Sequence, residues 1–159
     1  MSCYIAIVGG SSCSEEEAVL ARRVGAGVAK RGGVVVCGGG SGVMEAASAG
    51  AGEAGGTVLG ILPGDNPREG NRFLSFAVST GLGEARNAVI AKTADAVIAV
   101  GGEYGTLSEI ALALKIGKPV IGLKSWSLKP PHFLTRTMIS AESAEEAVDK
   151  AFTLVSEGL

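Results

Sequence analysis

The sequence predicts an α/β fold: a three-layer sandwich with a mostly parallel central sheet of six to seven strands and helices on both faces. Three observations predict it. Short apolar runs alternate along the chain with stretches of helical periodicity. The runs are apolar throughout rather than at every second residue, the pattern of strands covered on both faces. Glycines, finally, gather where a run gives way to a helix. There are 25 of them in 159 residues, more than twice the usual share of about 7%. They follow no fixed period, which excludes a collagen-like or low-complexity chain.

The elements follow in order. Cys3–Val8 is a strand. Ser14–Lys30 is a helix with Ala18, Ala21, Gly25 and Val28 on one face, and Gly32 is placed to close it. Val34–Cys37 is a strand, Val43–Ala54 a short Ala-rich helix and Thr57–Leu62 a third strand. Pro63–Phe73 is polar and rich in turn formers, so it reads as a surface loop bordering the site. A further strand lies near Phe76–Ser79, followed by a helix over Glu84–Thr93 and a strand over Ala94–Val100. The next helix, Thr106–Ile116, puts Leu107, Ile110, Ala111 and Leu114 on one side and stops at Gly117 and Pro119. Pro119–Leu123 and a segment near Arg136–Ile139 supply the last strands. Ala144, Ala147, Val148, Ala151, Phe152 and Val155 then repeat at helical spacing after a Ser143-x-x-Glu146 capping box. No linker or internal repeat breaks this order, so residues 1–159 read as one Rossmann-like domain.

Bulk composition narrows the function classes. A hydrophobic content of 47% with a formal charge of −2 fits a compact domain rather than a disordered one. The same balance offers no basic face for a nucleic-acid backbone. Cys3, Cys13 and Cys37 form no CxxC pair and His132 is the only histidine, so neither a metal site nor a disulfide scaffold is expected. Cys3 and Cys37 read as buried, reduced thiols. Cys13, beside a glycine-rich turn, reads as a small packed side chain ahead of a reactive thiol. No apolar stretch reaches ~18 residues and no basic region precedes an apolar one at the N-terminus, so a cytoplasmic protein without membrane span or signal peptide is expected.

Parallel α/β sheets bind ligands beyond the carboxyl ends of their strands, and three glycine clusters fall there. Gly9-Gly10-Ser11-Ser12 follows the first strand. Gly38-Gly39-Gly40-Ser41-Gly42 follows the second and runs into Val43-Met44-Glu45. Gly101-Gly102-Glu103-Tyr104-Gly105-Thr106 follows the Ala94–Val100 strand. Glycine lets backbone N–H groups approach a ligand, and a helix start adds unpaired donors and partial positive charge. One such cluster reads as a tight turn; three at one sheet edge read as a cradle for phosphate or another oxyanion. Neither GxxxxGK[ST] nor a GxGxxG after the first strand is present, which disfavours ATP hydrolysis and ordinary NAD binding. Two ionisable residues stand beside the clusters. Arg86 opens a helix and could equally pair with Glu84 on the surface; Glu109 could equally close a Thr106-x-x-Glu109 capping box.

The segments Gly38–Glu45, Arg86-Asn87 and Gly101–Glu109, together with Gly55–Pro63, resemble the Lonely Guy (LOG) superfamily, over nearly the whole chain. Within it the chain is most similar to the branch of molybdenum cofactor carrier proteins and their bacterial relatives. The resemblance implies a Rossmann-like fold and a homo-oligomer, a dimer or tetramer. LOG enzymes are phosphoribohydrolases that release free base and ribose 5-phosphate from nucleoside 5′-monophosphates, and Arg86 and Glu109 occupy the places of their catalytic pair. Two departures weigh against hydrolysis. Gly101-Gly102-Glu103 stands where the enzymes have Pro-Gly-Gly, and Asn87 stands where they commonly have lysine. The Glu103 carboxylate would repel a phosphate dianion unless it turned away or paired. The lysine decarboxylase label common among such sequences finds no supporting residue context here.

The first reading is therefore a binding or carrier protein for a small phosphorylated ligand, a nucleotide or a molybdenum cofactor-like pterin. It needs no cofactor of its own and engages neither nucleic acid nor membrane. Gly9, Gly10, Ser11, Gly38, Gly39, Gly40, Ser41, Gly42, Met44, Arg86, Asn87, Gly101, Gly102, Glu103, Tyr104, Gly105, Thr106 and Glu109 would contact the ligand. The alternative is a nucleoside 5′-monophosphate phosphoribohydrolase with Arg86 and Glu109 catalytic. An oligomeric scaffold with a relict site is the third reading.

Overall fold

The computed structural model describes residues 1–158. Seven strands form one sheet: β1 (Tyr4–Gly9), β2 (Val34–Cys37), β3 (Thr57–Leu62), β4 (Phe76–Ser79), β5 (Ala96–Val100), β6 (Val120–Leu123) and β7 (Ile139–Ser140). Their order is β4-β3-β2-β1-β5-β6-β7, and every neighbouring pair is parallel. Four helices lie between strands, α1 (Glu15–Lys30), α2 (Val43–Glu53), α3 (Asn87–Thr93) and α4 (Tyr104–Lys115), and α5 (Ala144–Gly158) follows the last strand. The expected α/β sandwich is the one found.

Alternate residues of the strands feed two cores. Ile5, Ile7, Val35, Val58, Ile98 and Ile121 pack under α1, α2 and α5. Ala6, Val8, Val36, Val97, Ala99 and Val120 pack under α3 and α4. Both faces are thus covered, which is why the strands read as continuously apolar. The α1–α2 contact is unusually close. A Cβ added at Gly25 would lie 2.0 Å from the Ala47 carbonyl oxygen. One added at Gly50 would lie 1.9 Å from that of Arg22. The two helices therefore meet backbone to backbone.

Several boundaries differ from the expected ones for identifiable reasons. β5 begins at Ala96 rather than Ala94, because the Asp95 carboxylate turns back to accept from the Tyr4 N–H at 2.8 Å. In α1, Val24 joins Ala21, Gly25 and Val28 on the buried face while Ala18 is only partly buried. A complete capping box at Ser14 and Glu17 starts this helix, a pattern legible in the sequence by the same rule as Ser143. At α5 only half of the expected box forms. Ser143 Oγ accepts from the Glu146 N–H, but the Glu146 carboxylate accepts from the Glu142 N–H instead of that of Ser143.

The largest revision concerns α4. It begins at Tyr104, with Glu103 at the N-cap, not at Thr106. Thr106 and Glu109 are therefore interior positions, and the Thr106-x-x-Glu109 capping box does not exist. Two extra residues at the N-terminal end rotate nothing, but they change which side chains matter: Thr106, Glu109, Ile110 and Ala113 are buried while Ala111 is exposed. With the helix starting at Tyr104, the Glu109 carboxyl turns inward instead of returning to an N-cap amide.

Candidate functional site

Strand order reverses direction between β1 and β5, so the loops leaving their carboxyl ends diverge and open a crevice, as in other doubly wound sheets. A cavity of about 340 Å³ lies there. Gly9, Gly10 and Ser11 line it from the loop after β1, and Met44 from α2. Pro63 follows β3, and Gly83, Glu84 and Arg86 lie on a 3-10 turn (Gly83–Arg86) that leads to Asn87 of α3. Glu103, Gly105, Thr106 and Glu109 complete the wall from α4. Larger hollows exist: a groove of about 730 Å³ beside α4 and a cleft of about 390 Å³ beyond β6 and β7. The crevice is singled out by its chemistry. Of the four buried polar side chains among the described residues, Ser48, Asn87, Thr106 and Glu109, the last three face it.

The three glycine clusters do different work. At α1 the Ser14–Glu17 box fills the helix start and Glu15, Glu16 and Glu17 crowd its first turn, so that end repels anions. At α2 the Val43 N–H donates to the Gly10 carbonyl, and Ser41 Oγ donates to the Ser11 carbonyl at 2.7 Å. Gly42 makes this junction feasible. Its φ is +65, and a Cβ there would lie 2.3 Å from the Gly10 oxygen. At α4 no side chain caps the helix. Its first backbone bond is made by the Leu107 N–H to the Glu103 carbonyl, which leaves the N–H groups of Tyr104, Gly105 and Thr106 free. This is the open, electropositive helix end in the crevice.

Arg86 is a brace as well as a charge. Its Nη1 donates to the Gly38 carbonyl at 2.6 Å and the Ile61 carbonyl at 2.7 Å, tying the ends of β2 and β3. A Cβ at Gly38 would strike Nη1 at 2.3 Å. Nε is buried without a partner, which leaves Nη2 to face the cavity. The surface ion pair with Glu84 considered from the sequence is absent among the described residues. Burial pushes the guanidinium below its ordinary value, opposed by Glu109 and Cys37.

Glu109 lies deep in the same cavity, 8% exposed. Burial raises its carboxyl from 4.5 to about 7, against the opposing pull of Arg86. Neither this carboxyl nor the Thr106 hydroxyl is sealed away without a partner; both are open to the crevice. Asn87 has a positioning role. Its Nδ2 donates to Ser108 Oγ at 3.0 Å, and Ser108 Oγ donates to the Gly105 carbonyl, so α3 holds the first turn of α4 in place. The wall as a whole carries three carboxylates, Glu84, Glu103 and Glu109, against one guanidinium.

Gly38, Gly39, Gly40, Ser41, Gly42, Gly101, Gly102 and Tyr104 do not line the cavity. The Gly38–Gly42 loop is instead held behind it, with Asn71 Nδ2 donating to the Gly40 carbonyl at 3.0 Å. Gly102 and Glu103 border a shallow cleft with Ser12, Cys13, Ser14 and Glu17. Pro63, Gly83 and Glu84 line the cavity without having been anticipated; Pro63 opens the loop expected to border the site, and Gly83 and Glu84 precede Arg86. Burial raises the thiols of Cys3, Cys13 and Cys37, and the neighbouring Glu17 adds to the rise at Cys13. Cys13 is therefore a poor nucleophile.

The geometry has counterparts among known proteins. An uncharacterized protein of Archaeoglobus fulgidus is 45% identical over 145 residues, spanning 91% of each chain. The structure of a molybdenum cofactor binding protein from the phototrophic bacterium Rippkaea orientalis superposes with a TM-score of 0.90 at 35% identity, covering 98% of both chains. The Moco carrier protein from Chlamydomonas reinhardtii does so with a TM-score of 0.85 at 31% identity, covering 100% of both. The model of the SLOG cluster4 family matches residues 2–153, and the chain belongs to that family.

Proposed function

We propose that the protein binds and carries a small phosphorylated ligand, a nucleotide or a molybdenum cofactor-like pterin, in the crevice between β1 and β5. The observation that carries this is the convergence of an uncapped helix start with three of the four buried polar side chains among the described residues. The free amides of Gly105 and Thr106, the Thr106 hydroxyl and Arg86 Nη2 would hold the oxyanion. The structural similarity to proteins that bind or carry the molybdenum cofactor supports the carrier reading. An organic ligand with a phosphate fits the donor set: α4 supplies donors for the anion, while Glu84 and Glu103 call for a part that donates. Thermal melting with millimolar inorganic phosphate, ribose 5-phosphate and nucleoside monophosphates tests this. Expected is a rise in melting temperature that Thr106→Val diminishes; no rise with any of them overturns the reading. Mass spectrometry of the purified protein would identify a retained ligand.

One observation favours the second reading. Glu109 is held near neutrality beside Arg86, which suits a proton donor to a departing base. Free adenine released from AMP, and lost in Glu109→Gln, would make the protein a phosphoribohydrolase. No helix among the described residues is long and apolar enough to cross a membrane. Exposed Phe133 and Leu134 beside the α4 groove support a homo-oligomer, measurable by light scattering.

A further inference from the structure

The groove of about 730 Å³ beside α4 shares no residue with the crevice. One wall is a stripe of α4, Ala111, Leu114 and Lys115, at the i, i+3, i+4 spacing of a single helix face. The other wall is the segment 128–137, between β6 and β7. Leu114, Leu128 and Pro130 are half-buried. Phe133 and Leu134 are 71% and 52% exposed. An apolar slot of this size falls within the range of small-ligand sites, roughly 300–1,000 Å³.

Its charge is as one-sided as its walls are apolar. Acids outnumber bases over the whole chain, 16 to 14. Residues 110–141 nevertheless hold Lys115, Lys118, Lys124, Lys129 and Arg136 and no Asp or Glu. Lys115, Lys129 and Arg136 line the groove, and no carboxylate does. None of these three cations has an ion-pair partner among the described residues. Arg136 is placed by packing: its guanidinium lies against Gly117, where a Cβ would come within 3.1 Å of Nη1.

The occupant that fits is apolar along its length and anionic at one end. An extended peptide fits poorly. Pro130 and Pro131 have no N–H, and the Leu134 N–H already donates to the Pro131 carbonyl at 2.9 Å, so this wall offers a strand few donors. A second copy docked groove to groove would set the three cations against their own equivalents. Such a copy can rest on the outward faces of Phe133 and Leu134 without filling the slot. A carboxylate on an alkyl chain meets every requirement: the chain needs no hydrogen bonds, and a guanidinium gives a carboxylate two parallel ones. We propose that the groove is a binding site for a single-chain fatty acid. Its alkyl chain lies along Leu114, Leu128, Pro130 and Phe133, and its carboxylate sits on Arg136.

Titration calorimetry of the full chain with decanoate, below micelle-forming concentrations, tests this. Octanoate, decan-1-ol and decyltrimethylammonium serve as comparisons. Expected is saturable, one-to-one binding of decanoate. Octanoate should bind more weakly, by up to about fourfold per methylene removed. The alcohol and the ammonium should bind about tenfold more weakly or worse. Arg136→Ala should weaken decanoate by about tenfold and leave decan-1-ol unchanged. Leu134→Glu, at an exposed position, puts a carboxylate at the slot and should abolish binding of both while the melting temperature stays near that of the parent. Equal binding of decanoate and decyltrimethylammonium overturns the proposal, as does an Arg136→Ala variant that binds decanoate as the parent does. Absence of saturable decanoate binding overturns it too. If the chain is then dimeric by light scattering and Leu134→Glu makes it monomeric, a second copy fills the groove. If an acidic, leucine-bearing helical peptide binds where decanoate does not, the groove takes a protein partner instead.

Discussion

Replacing Glu109 with glutamine should stabilise the protein at alkaline pH and leave it nearly unchanged below pH 4.5. The carboxyl moves from an ordinary 4.5 to about 7 on folding. Between those values the folded chain holds a proton that the unfolded chain has released, so stability falls as pH rises through the window. Above pH 7 both states are ionised and the full difference applies, roughly 3 kcal/mol against folding. Below pH 4.5 both are protonated and the difference vanishes. Glutamine has nearly the same shape and no charge to bury, so the variant lacks this slope. For a domain of this size, ~1 kcal/mol corresponds to about 2–4 °C. The gap in melting temperature should therefore widen from about 2–3 °C at pH 5 to roughly 6–12 °C at pH 8. Melting curves of both proteins at four pH values between 5 and 8 suffice. A gap that does not change with pH, or a variant less stable at pH 8, would refute the assignment of Glu109 as a buried acid. A group that weakens the fold at neutral pH is the kind a functional site retains.

Other perturbations test the frame around it. Arg86→Ala removes both guanidinium bonds to the carboxyl ends of β2 and β3 and should cost about 2–4 kcal/mol in a urea melt; lysine, with one nitrogen, should restore part of it. A loss of activity in Arg86→Ala alone therefore says little about catalysis. Gly50→Ala forces a methyl to within 1.9 Å of the Arg22 carbonyl, so α1 and α2 must part. Calorimetry should show a loss of about 2 kcal/mol or more. Ser14→Ala removes the α1 cap and should cost about 1 kcal/mol by chemical denaturation, with no change in phosphate binding, because that helix start takes no part in the crevice.

The layers of the fold were legible because each strand is buried on both faces, and burial writes itself into composition. Val34–Cys37 and Thr57–Leu62 have in the structure the bounds that their apolar runs predict. Helix starts were less legible. Nothing in Glu103-Tyr104-Gly105 marks a helix by capping chemistry, and no side chain caps it, so the sequence pattern places the start of α4 two residues late. That shift turned a buried acid into an apparent cap. The division of labour among the glycine clusters was also hidden, since Gly38 and Gly42 serve contacts with Arg86 and Gly10 that are distant in sequence. Arg86 was found beside the site, but its hold on two strand ends depends on carbonyl positions that only the sheet register supplies.

The backbone contact between α1 and α2 has a bearing on how the crevice can adapt. Gly25 and Gly50 lock those helices together, and Ser41 and Val43 lock the loops in front of them. The Gly9–Ser11 and Met44 side of the cavity is therefore one stiff jaw. The opposite jaw hangs on the short turn Gly83–Arg86 and on the start of α4, which Asn87 and Trp126 hold by single hydrogen bonds. A bulkier ligand must be accommodated by that second jaw alone, so binding should slow amide exchange in Gly83–Asn87 and Tyr104–Ser108 while the glycine-packed side stays as protected as before.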